Sequence, residues 1–456
     1  MTSMHDLPDA VSVAGAVRAG TTSAAEVVDA HLRRAAGSNP RLNALTVVFG
    51  DRARRRADEV DRAVAQGRDP GPLAGVPVSV KENIDLTWSA TTQGWRGAAD
   101  AVPTRDATVV ERVLAAGAVP VGRGNMSDFG MRWDTDNDLF GRTLNPFDET
   151  RTVFGSSGGD AVAVATGMST LGLGNDFGGS VRLPASALGV CGLRPSLGRV
   201  PRSAVAEDPV ALTLQQFSVN GFLARSVRDL RTALAVTEGW DGRDPVSLDL
   251  PPVGSFDGPR RAAVVRDPLG WGVDEQVGAA VDRAAKTLRA AGWEVEESEP
   301  PLLEEAAVLW RRLAVTDVAW SLDPARLPVP LGRSAAQFLR DSTAVTRPYE
   351  SAADLAQAWA RHPVVAAAWR SFQHETPLVL GPVFTERVPP VDFDLGGQQA
   401  AEDAWRRLRL VVAANFLGLP AVSVPMGTDA GGMPLSVQLI GPLQGEAAVL
   451  AAATAL

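Results

Sequence analysis

The stretch of this sequence that most directly suggests chemistry contains two serines set among glycines. Ser156 lies two residues before a glycine pair, and Ser180 directly follows another pair. Because glycine has no Cβ, backbone amides in such a turn can approach a reacting carbonyl closely. The amides of Phe177, Gly178 and Gly179, just before Ser180, are therefore candidate donors of an oxyanion hole, in which one donor contributes about 3 to 4 kcal/mol. This pattern predicts acyl transfer by a serine nucleophile.

A serine nucleophile needs a base, and histidine is found only in unpromising contexts. No histidine lies in a glycine-rich turn, and neither serine lies in a G-x-S-x-G nucleophile elbow; the histidines are His5, His31, His362 and His374. A lysine that burial keeps neutral can serve instead. Lys81 follows the apolar run PVSV and suits that role. An exposed surface charge is the alternative that the residues alone leave open.

The glycines also suggest a phosphate site, but their spacing argues against it. Residues 172–178 miss the dinucleotide motif G-x-G-x-x-G, because Phe177 stands at the third glycine position. The GSSGG turn lacks the Gly-Lys-Ser/Thr of a P-loop, and no His/Cys/Asp/Glu cluster has metal-ligand spacing. A net charge of -9, spread along the chain, disfavours nucleic acid and anionic membranes. We therefore expect no cofactor, no metal, and neither nucleic acid nor membrane as a partner.

The composition is that of a globular protein. Hydrophobic residues make up 45% of the 456 residues, which suits one large α/β domain or two to three ordinary ones. Cys191 is the single cysteine, so no intramolecular disulfide can form. The N-terminal residues lack the apolar segment of a signal peptide, and no stretch approaches about eighteen uninterrupted apolar residues. We expect a cytoplasmic protein.

Helical and strand patterns alternate along much of the chain. Residues 8–66 have helical periodicity, and the apolar run 77–80 is typical of a buried strand leading to Lys81. A helix that ends near Gly117 and a following strand form a pattern that recurs around Gly292. ANFLGLPAVSVPMG and PLSVQLIGP are predicted as two further strands. We expect a single large α/β/α domain with a mixed, mostly parallel, twisted central sheet covered by helices.

Residues 300–400 do not follow this pattern. They have mostly helical periodicity, are interrupted by prolines, and contain Trp310, Trp320, Trp359 and Trp369. We expect this region to form a cap over the sheet. The chain has eleven tryptophans and one tyrosine, which favours an apolar or aromatic substrate pocket, although tryptophan also fills cores.

Three segments resemble the amidase signature hydrolases, and the resemblance runs from about residue 8 to the C terminus. The family's lysine segment is similar to GPLAGVPVSVKENID. Its serine–glycine signature is similar to GRTLNPFDETRTVFGSSGGDAVAVATG and the following LGNDFGGSVRLPASALGVCGLRPSLGRVP, and its C-terminal strands to ANFLGLPAVSVPMGTDAGGMPLSVQLIGP. Lys81 and Ser156 are 75 positions apart, and Ser156 and Ser180 are 24 apart, as in the family's lysine, bridging serine and nucleophile. From these motifs the sequence is identified as a member of this family.

The resemblance implies a mechanism. Ser180 would attack an amide carbonyl and form an acyl-enzyme. Ser156 would relay the proton to neutral Lys81 and return it to the leaving amine, after which water hydrolyses the acyl-enzyme. The family holds the bridging serine after a cis peptide bond, which here would join Gly155 and Ser156.

The resemblance also implies supporting residues and a domain layout. Ser157 is expected to support its turn, and Asp176 and Arg182 to form a buried polar pair behind the nucleophile. The whole chain, 1–456, would be one amidase domain. Its parts would be an N-terminal helical region at 1–66, a signature core with the Lys-Ser-Ser centre at 67–240, a variable helical specificity region at 300–400, and C-terminal strands and a helix at 401–456.

Several residues depart from the family pattern close to this centre. Asn175 stands where a Ser or Thr normally precedes the aspartate, Phe154 replaces the first glycine of the serine–glycine run, and Asp160 replaces a small residue after it. In the segment that resembles D-x-x-G-P-x-A-R, Ser218 and Phe222 take the Asp and Pro positions. We expect altered loop geometry around an intact Lys-Ser-Ser centre.

We predict an amidase that converts a small-molecule carboxamide to a carboxylic acid and ammonia or an amine, acting as a monomer or homodimer. MSDFGMRWDTDN resembles the segment that lines the acyl side of the family's cleft, so Met131 and Trp133 are candidate pocket walls, with core packing as the alternative. An arylacetamide such as indole-3-acetamide fits these features. The other hypotheses are acyl transfer, as in the glutaminase-like part of a tRNA amidotransferase or in an amide synthase, and a non-catalytic binding protein on the same scaffold.

Overall fold

The computed structural model describes residues 7–202, 210–322 and 327–456, which form helices on both faces of a single sheet. Its strands are β1 (Leu45–Val48), β2 (Pro77–Lys81), β3 (Val119–Gly124), β4 (Leu171–Asp176), β5 (Cys191–Arg194), β6 (Val219–Ala224), β7 (Arg261–Val264), β8 (Glu294–Glu297), β9 (Leu378–Pro382), β10 (Ala421–Thr428) and β11 (Pro434–Ile440). Its helices are α1 (Ala10–Arg18), α2 (Ala24–Leu42), α3 (Gly50–Ala65), α4 (Thr108–Ala115), α5 (Gly158–Ala165), α6 (Arg182–Leu188), α7 (Leu212–Phe217), α8 (Val227–Thr237), α9 (Glu275–Ala290), α10 (Leu303–Ser321), α11 (Arg333–Thr346), α12 (Ala352–Glu375), α13 (Gln398–Arg407), α14 (Arg409–Phe416) and α15 (Glu446–Ala455).

The strand order is β1-β3-β2-β4-β6-β5-β10-β11-β9-β7-β8. The predicted α/β class and mixed sheet are confirmed. Parallel pairing is found within two triplets, β3-β2-β4 and β9-β7-β8. All pairings from β4 to β9 and that of β1 with β3 are antiparallel, so parallel pairing is less extensive than we predicted. Hydrophobic patterns show that a strand is buried on both faces, but they do not give its direction.

Helices bury both faces of the sheet. Successive residues of a strand point to opposite faces, so neighbouring residues pack in different hydrophobic clusters. In β9, Val379 packs in one hydrophobic cluster, whereas Leu378 and Leu380 pack in the other. The first cluster includes residues of α5, α6 and α10 to α14, and the second includes residues of α1, α4, α8, α9 and α15. This burial explains why the central strands read as almost continuous apolar runs.

The N-terminal helical pattern corresponds to α1, α2 and α3. Ser23 caps α2 in a capping box with Glu26, as the Thr/Ser start predicts. The short strand β1 lies between α2 and α3 at one edge of the sheet and was not predicted. Its residues Val47 and Val48 are exposed, so it lacks the apolar run of an internal strand.

Two strand predictions need correction. The region 300–400 contains helices α10 to α12 but also β9, which pairs with both β7 and β11 and so belongs to the sheet. β9 is too short to stand out from the helical pattern around it. The strand predicted from ANFLGLPAVSVPMG begins only at Ala421, because α14 continues to Phe416 and Gly418, with φ of +66°, follows its end.

The fold brings the two serine turns to one edge of the sheet. β2 and β4 are parallel neighbours, and their carboxyl ends carry Lys81 and Asp176. Ser156 lies just before α5, and Ser180 lies just before α6. The carboxyl edge of parallel strands is where α/β proteins commonly bind ligands. Within the described ranges, no helix has both the length and the apolar character needed to cross a membrane.

Candidate active site

Lys81 is the last residue of β2, and its side chain is fully buried. Its Nζ lies 2.8 Å from Ser156 Oγ and 2.8 Å from Asn175 Oδ1. The alternative of an exposed surface charge is therefore excluded. The contact with Asn175 was not predicted, although the sequence marks that position as unusual.

Burial lowers the pKa of Lys81, because an ammonium loses its hydration in the interior; the negative charges of Asp160 and Asp176 oppose this effect. The effect of burial is the larger one, so the Lys81 amine is neutral at pH values well below the ordinary lysine pKa. A neutral Nζ can donate to Asn175 Oδ1 and still offer its lone pair to the Ser156 hydroxyl. The site thus has the electrostatics that a lysine base requires.

The turn that carries Ser156 is linked to the turn that carries Ser180. The Gly155–Ser156 peptide bond is cis. The Ser157 amide donates to the Ser180 carbonyl at 3.1 Å, and its hydroxyl donates to the Asn175 carbonyl at 3.4 Å. Ser156 and Ser180 are almost fully buried, and both line the same cavity. Ser157 therefore fixes one serine turn relative to the other.

The three predicted oxyanion donors differ in this structure. Gly179 has a φ of +93°, which glycine adopts without steric cost, and its amide donates to Asp176 Oδ1 at 2.9 Å. Gly179 is therefore not a free donor. The amides of Phe177 and Gly178 have no acceptor among the residues described, and neither has that of Ser180 itself. Phe177 and Gly178 remain candidates, with Ser180 as an additional one.

Asp176 and Arg182 lie together behind Ser180, and both side chains are fully buried. The carboxylate accepts from Arg182 Nε and Nη2, each at 3.0 Å. The guanidinium also donates to Val411 O, Gln438 Oε1 and Asn415 Oδ1. Burial would raise the pKa of Asp176, but Arg182 and Arg194 hold that pKa well below its ordinary value.

A cavity of about 510 Å³ opens beside the two serines, and aromatic side chains form part of its wall. Trp133 donates from Nε1 to the Gly178 carbonyl at 3.0 Å, and Trp310 donates to the Phe177 carbonyl at 3.2 Å. A Cβ at Gly178 would lie 2.6 Å from the Trp310 ring, so glycine is needed there. The aromatic lining residues are Phe129, Trp133, Phe177, Trp310, Phe338 and Trp405.

The structure places both residues that were predicted as pocket walls on the surface of this cavity. Met131 and Trp133 line this cavity, and Trp133 packs edge-to-face on Trp405, with ring centroids 4.7 Å apart. Trp310 of the tryptophan-rich region also lines it, whereas Trp359 packs on Phe217 outside the lining. Trp405 was missed because nothing in its local sequence indicates which face of α13 meets the cavity.

The unusual residues of the serine–glycine stretch have structural explanations. Phe154 adopts φ of +55°, which accounts for the family's glycine there, and its buried ring packs on Phe384 and Phe393. Asp160 is fully buried within the first turn of α5. These positions could have been singled out only by their departure from the family pattern.

Comparisons with known proteins agree with this geometry. A family model described as "Amidase" matches residues 26–450. The chain belongs to the amidase family. The amidase is 37% identical to an indoleacetamide hydrolase of Bradyrhizobium diazoefficiens, covering 98% of this chain and 85% of that protein. It is 32% identical to one of the subunits of a glutamyl-tRNA(Gln) amidotransferase from a Synechococcus strain, covering 95% of this chain and 94% of that protein.

Solved structures give the same result. A bacterial aryl acylamidase of the amidase signature family superposes with a TM-score of 0.86 at 26% identity, covering 98% of this amidase and 95% of that chain. A 6-aminohexanoate cyclic dimer hydrolase bound to its substrate superposes with a TM-score of 0.84 at 27% identity, covering 98% and 96%. The protein is an amide-hydrolysing enzyme with the amidase signature fold.

Proposed function

We propose that this amidase hydrolyses the primary amide of an arylacetamide, such as indole-3-acetamide, to the acid and ammonia. The observation that carries the proposal is the cavity beside Ser180, part of whose wall is formed by Trp133, Trp310 and Trp405. Aromatic side chains bind an aromatic acyl group through edge-to-face and stacked contacts in addition to burial of apolar area. The cavity volume lies within the range of ordinary small-molecule sites.

In the first step, the Ser180 hydroxyl attacks the amide carbonyl and a C–O bond forms. Its proton passes to Ser156 Oγ as the Ser156 proton passes to the neutral Nζ of Lys81, 2.8 Å away. The developing negative charge lies on the carbonyl oxygen, where the amides of Phe177 and Gly178 are the proposed donors. The lowered pKa of Lys81 supports this role, because an ammonium cannot accept the proton.

In the second step, the tetrahedral intermediate collapses and the C–N bond breaks. The Lys81 ammonium gives a proton through Ser156 to the departing nitrogen, and ammonia leaves. Water then attacks the acyl-enzyme, with the same relay accepting its proton and returning one to Ser180. Asn83, Gln93 and Asn175 also line the cavity and offer polar groups suited to a small leaving amine.

The indoleacetamide hydrolase relative supports the arylacetamide substrate, since it aligns over 98% of this chain. Indole carries one N–H donor, and the rest of its ring system presents apolar faces and edges. In the proposed pose the ring lies among the tryptophans and the acetamide carbonyl reaches Ser180.

Glutaminase chemistry is the second candidate, because the amidotransferase relative aligns over 95% of this chain. Glutamine carries an ammonium and a carboxylate that both need charged partners. The charged residues among the described cavity lining are Asp85, Arg202 and Asp317, and the last two already have partners within the protein. Because the lining contains several aromatic rings and few charged groups, it favours an arylacetamide over glutamine as the substrate.

Incubation of the purified amidase with indole-3-acetamide, phenylacetamide, acetamide and glutamine, with ammonia and acid release as readout, tests the proposal. We expect kcat/KM for the two arylacetamides to exceed that for acetamide and glutamine by at least about tenfold. Covalent labelling by a fluorophosphonate should modify Ser180. Preferential turnover of glutamine would replace the proposal with the amidotransferase function, and no labelling of Ser180 in folded protein would refute catalysis by this serine.

A further inference from the structure

Asp160 is a carboxyl group whose burial is not explained by hydrogen bonding. It is the third residue of α5, four positions after Ser156, and its side chain is fully buried. Neither carboxyl oxygen has a hydrogen-bond partner of good geometry among the described residues, although the Ser79 hydroxyl and the Asp160 amide lie close enough to favour the charged form. An unpaired buried carboxyl is costly and is often found where it serves a function.

The strands on either side are shaped to hold this side chain. A Cβ at Gly124 of β3 would lie 2.3 Å from the Asp160 carboxyl carbon and oxygens. A Cβ at Gly172 of β4 would lie 3.0 Å from the Asp160 Cβ. Glycine on both neighbouring strands therefore leaves the space that the carboxyl occupies. The fold thus provides a space in the interior for the Asp160 carboxyl.

Two buried cations near Asp160, Lys81 and Arg123, have no hydrogen-bonded carboxylate among the described residues, and of these two only Lys81 also lacks an ion pair within 4 Å. α5 packs against β1, β2, β3, β4, β6 and α6. Their titratable side chains are Lys81 on β2, Arg123 on β3, Asp176 on β4 and Arg182 on α6, while β1 and β6 have none. Arg182 pairs with Asp176, and Arg123 donates to Ile84 O and lies 3.9 Å from Glu82. Lys81 forms its hydrogen bonds with neutral groups.

We propose that Asp160 is a positioning residue of the catalytic centre: its carboxylate is the through-space counter-charge for the ammonium that Lys81 forms on taking up the proton of the nucleophile. The inference rests on the proposed role of Lys81 as base. Gly124, whose Cβ would touch the Asp160 carboxyl, is the partner of Lys81 in the β2–β3 pair, which sets the carboxyl beside Lys81. No hydrogen bond joins the two side chains, so the carboxylate stabilises the ammonium without occupying the amine that must receive the proton. Burial raises the pKa of Asp160, and the positive charges of Lys81 and Arg123 oppose that rise and favour the carboxylate. A lysine without this charge is a weaker base, because burial opposes its protonation.

The composition of the chain allows a direct test. Lys81 and Lys286 are the only lysines in the sequence, and Lys286 is exposed on α9. In protein labelled with [ε-13C]lysine, the two NMR signals can be assigned with a Lys286→Arg variant, and the titration of Lys81 can be followed without any substrate. Asp160→Asn, which keeps the shape of the side chain, should lower the midpoint of the Lys81 titration by at least about one pH unit.

Kinetics supply the second readout. The acid limb of kcat/KM should move to lower pH with the Lys81 midpoint, and kcat should fall about three- to tenfold with KM nearly unchanged. Asp160→Ser is a second variant, should the asparagine protein fail to fold. Glu82→Gln is the matched control, since this buried neighbour of Lys81 is hydrogen-bonded to Thr92.

A Lys81 midpoint that stays within about 0.3 pH units in both Asp160 variants, or that moves equally in Glu82→Gln, would overturn the inference. Both outcomes are independent of catalysis. Failure of the proposed function would instead show as a wild-type enzyme inactive on every amide, whatever its lysine titration.

Discussion

Replacing Asp176 by asparagine keeps the size of the side chain and removes the charge that holds Arg182. Oδ1 accepts from Arg182 Nη2 at 3.0 Å, from the Gly179 amide at 2.9 Å and from Asn415 Nδ2 at 2.8 Å. Oδ2 accepts from Arg182 Nε at 3.0 Å and from the amides of Val181 and Arg182 at 3.3 and 3.4 Å. An asparagine has one oxygen, so in either orientation its NH2 group faces donors and one set of three hydrogen bonds is lost.

The expected loss in the free energy of unfolding is about 3 to 5 kcal/mol, because removing one charge of a buried pair leaves the other without compensation. Such a loss is a large part of the roughly 5 to 15 kcal/mol that stabilises a typical domain. The depressed pKa of Asp176 fixes the pH dependence. The carboxylate contributes its stability above the ordinary aspartate pKa and loses it as the pH falls through the lower folded-state pKa, so the deficit is constant near neutrality and shrinks only in strong acid.

Urea unfolding of wild type and Asp176→Asn at pH 7, followed by tryptophan fluorescence and far-UV circular dichroism, measures this difference. Glu275→Gln is the control, since it breaks the exposed pair with Arg266 and should change stability little. We also expect a lower kcat, because one orientation of the asparagine removes the acceptor of the Gly179 amide and the other removes that of the Val181 amide, and these amides lie on either side of Ser180. A loss below about 1 kcal/mol would refute the view that this pair is a main support of the nucleophile turn.

Three further predictions follow from the site, and a fourth from the buried charges near it. Lys81→Ala should abolish amide turnover while the thermal unfolding midpoint stays close to that of wild type; near-wild-type ammonia release would exclude Lys81 as the base. In wild type, kcat/KM should fall as the pH decreases through the lowered Lys81 pKa, because the ammonium cannot accept a proton, and a profile flat from pH 9 down to about pH 5 would contradict this. Trp310→Leu should raise KM for phenylacetamide more than for acetamide, and equal effects on both would argue against Trp310 as a pocket wall. Arg132→Gln leaves Asp394 buried without its partner 2.7 Å away, so calorimetry should show a loss of about 3 to 5 kcal/mol, and an unchanged melting temperature would contradict it.

The candidate catalytic residues could be proposed from the sequence because their motifs are local. Ser156 and Ser180 lie within short glycine-rich turns, and a fixed interval links each turn to its neighbour and to Lys81. The structure places Lys81 in contact with Ser156, and it places Met131 and Trp133 on the cavity wall. The α/β class followed from helix–glycine–strand patterns that are equally local.

The features that the sequence did not reveal depend on contacts between distant segments or on the path of a single turn. The Gly179 amide is not free, because it donates a hydrogen bond to the side chain of Asp176, three residues earlier. Glycine spacing in the sequence cannot show this contact. Trp405 lies on α13, which packs on α11, and its ring meets Trp133 and Trp310 from distant parts of the chain. β9 is a five-residue strand whose partners lie far away in the chain, so its apolar run resembled part of a helical region.

The placement of β9 bears on how substrate range can change in this family. β8 and β9 are both parallel to β7, so the chain between Glu297 and Leu378 is a crossover connection, for which about a dozen residues suffice. This connection is far longer than that minimum, and its helices α10 and α11 supply Trp310 and Phe338 to the cavity. Insertions, deletions or recombination within this one connection can reshape the acyl pocket while the strand order and the Lys-Ser-Ser centre stay unchanged. New substrates can thus be acquired through changes in a single, mostly helical connection, while the rest of the scaffold is kept.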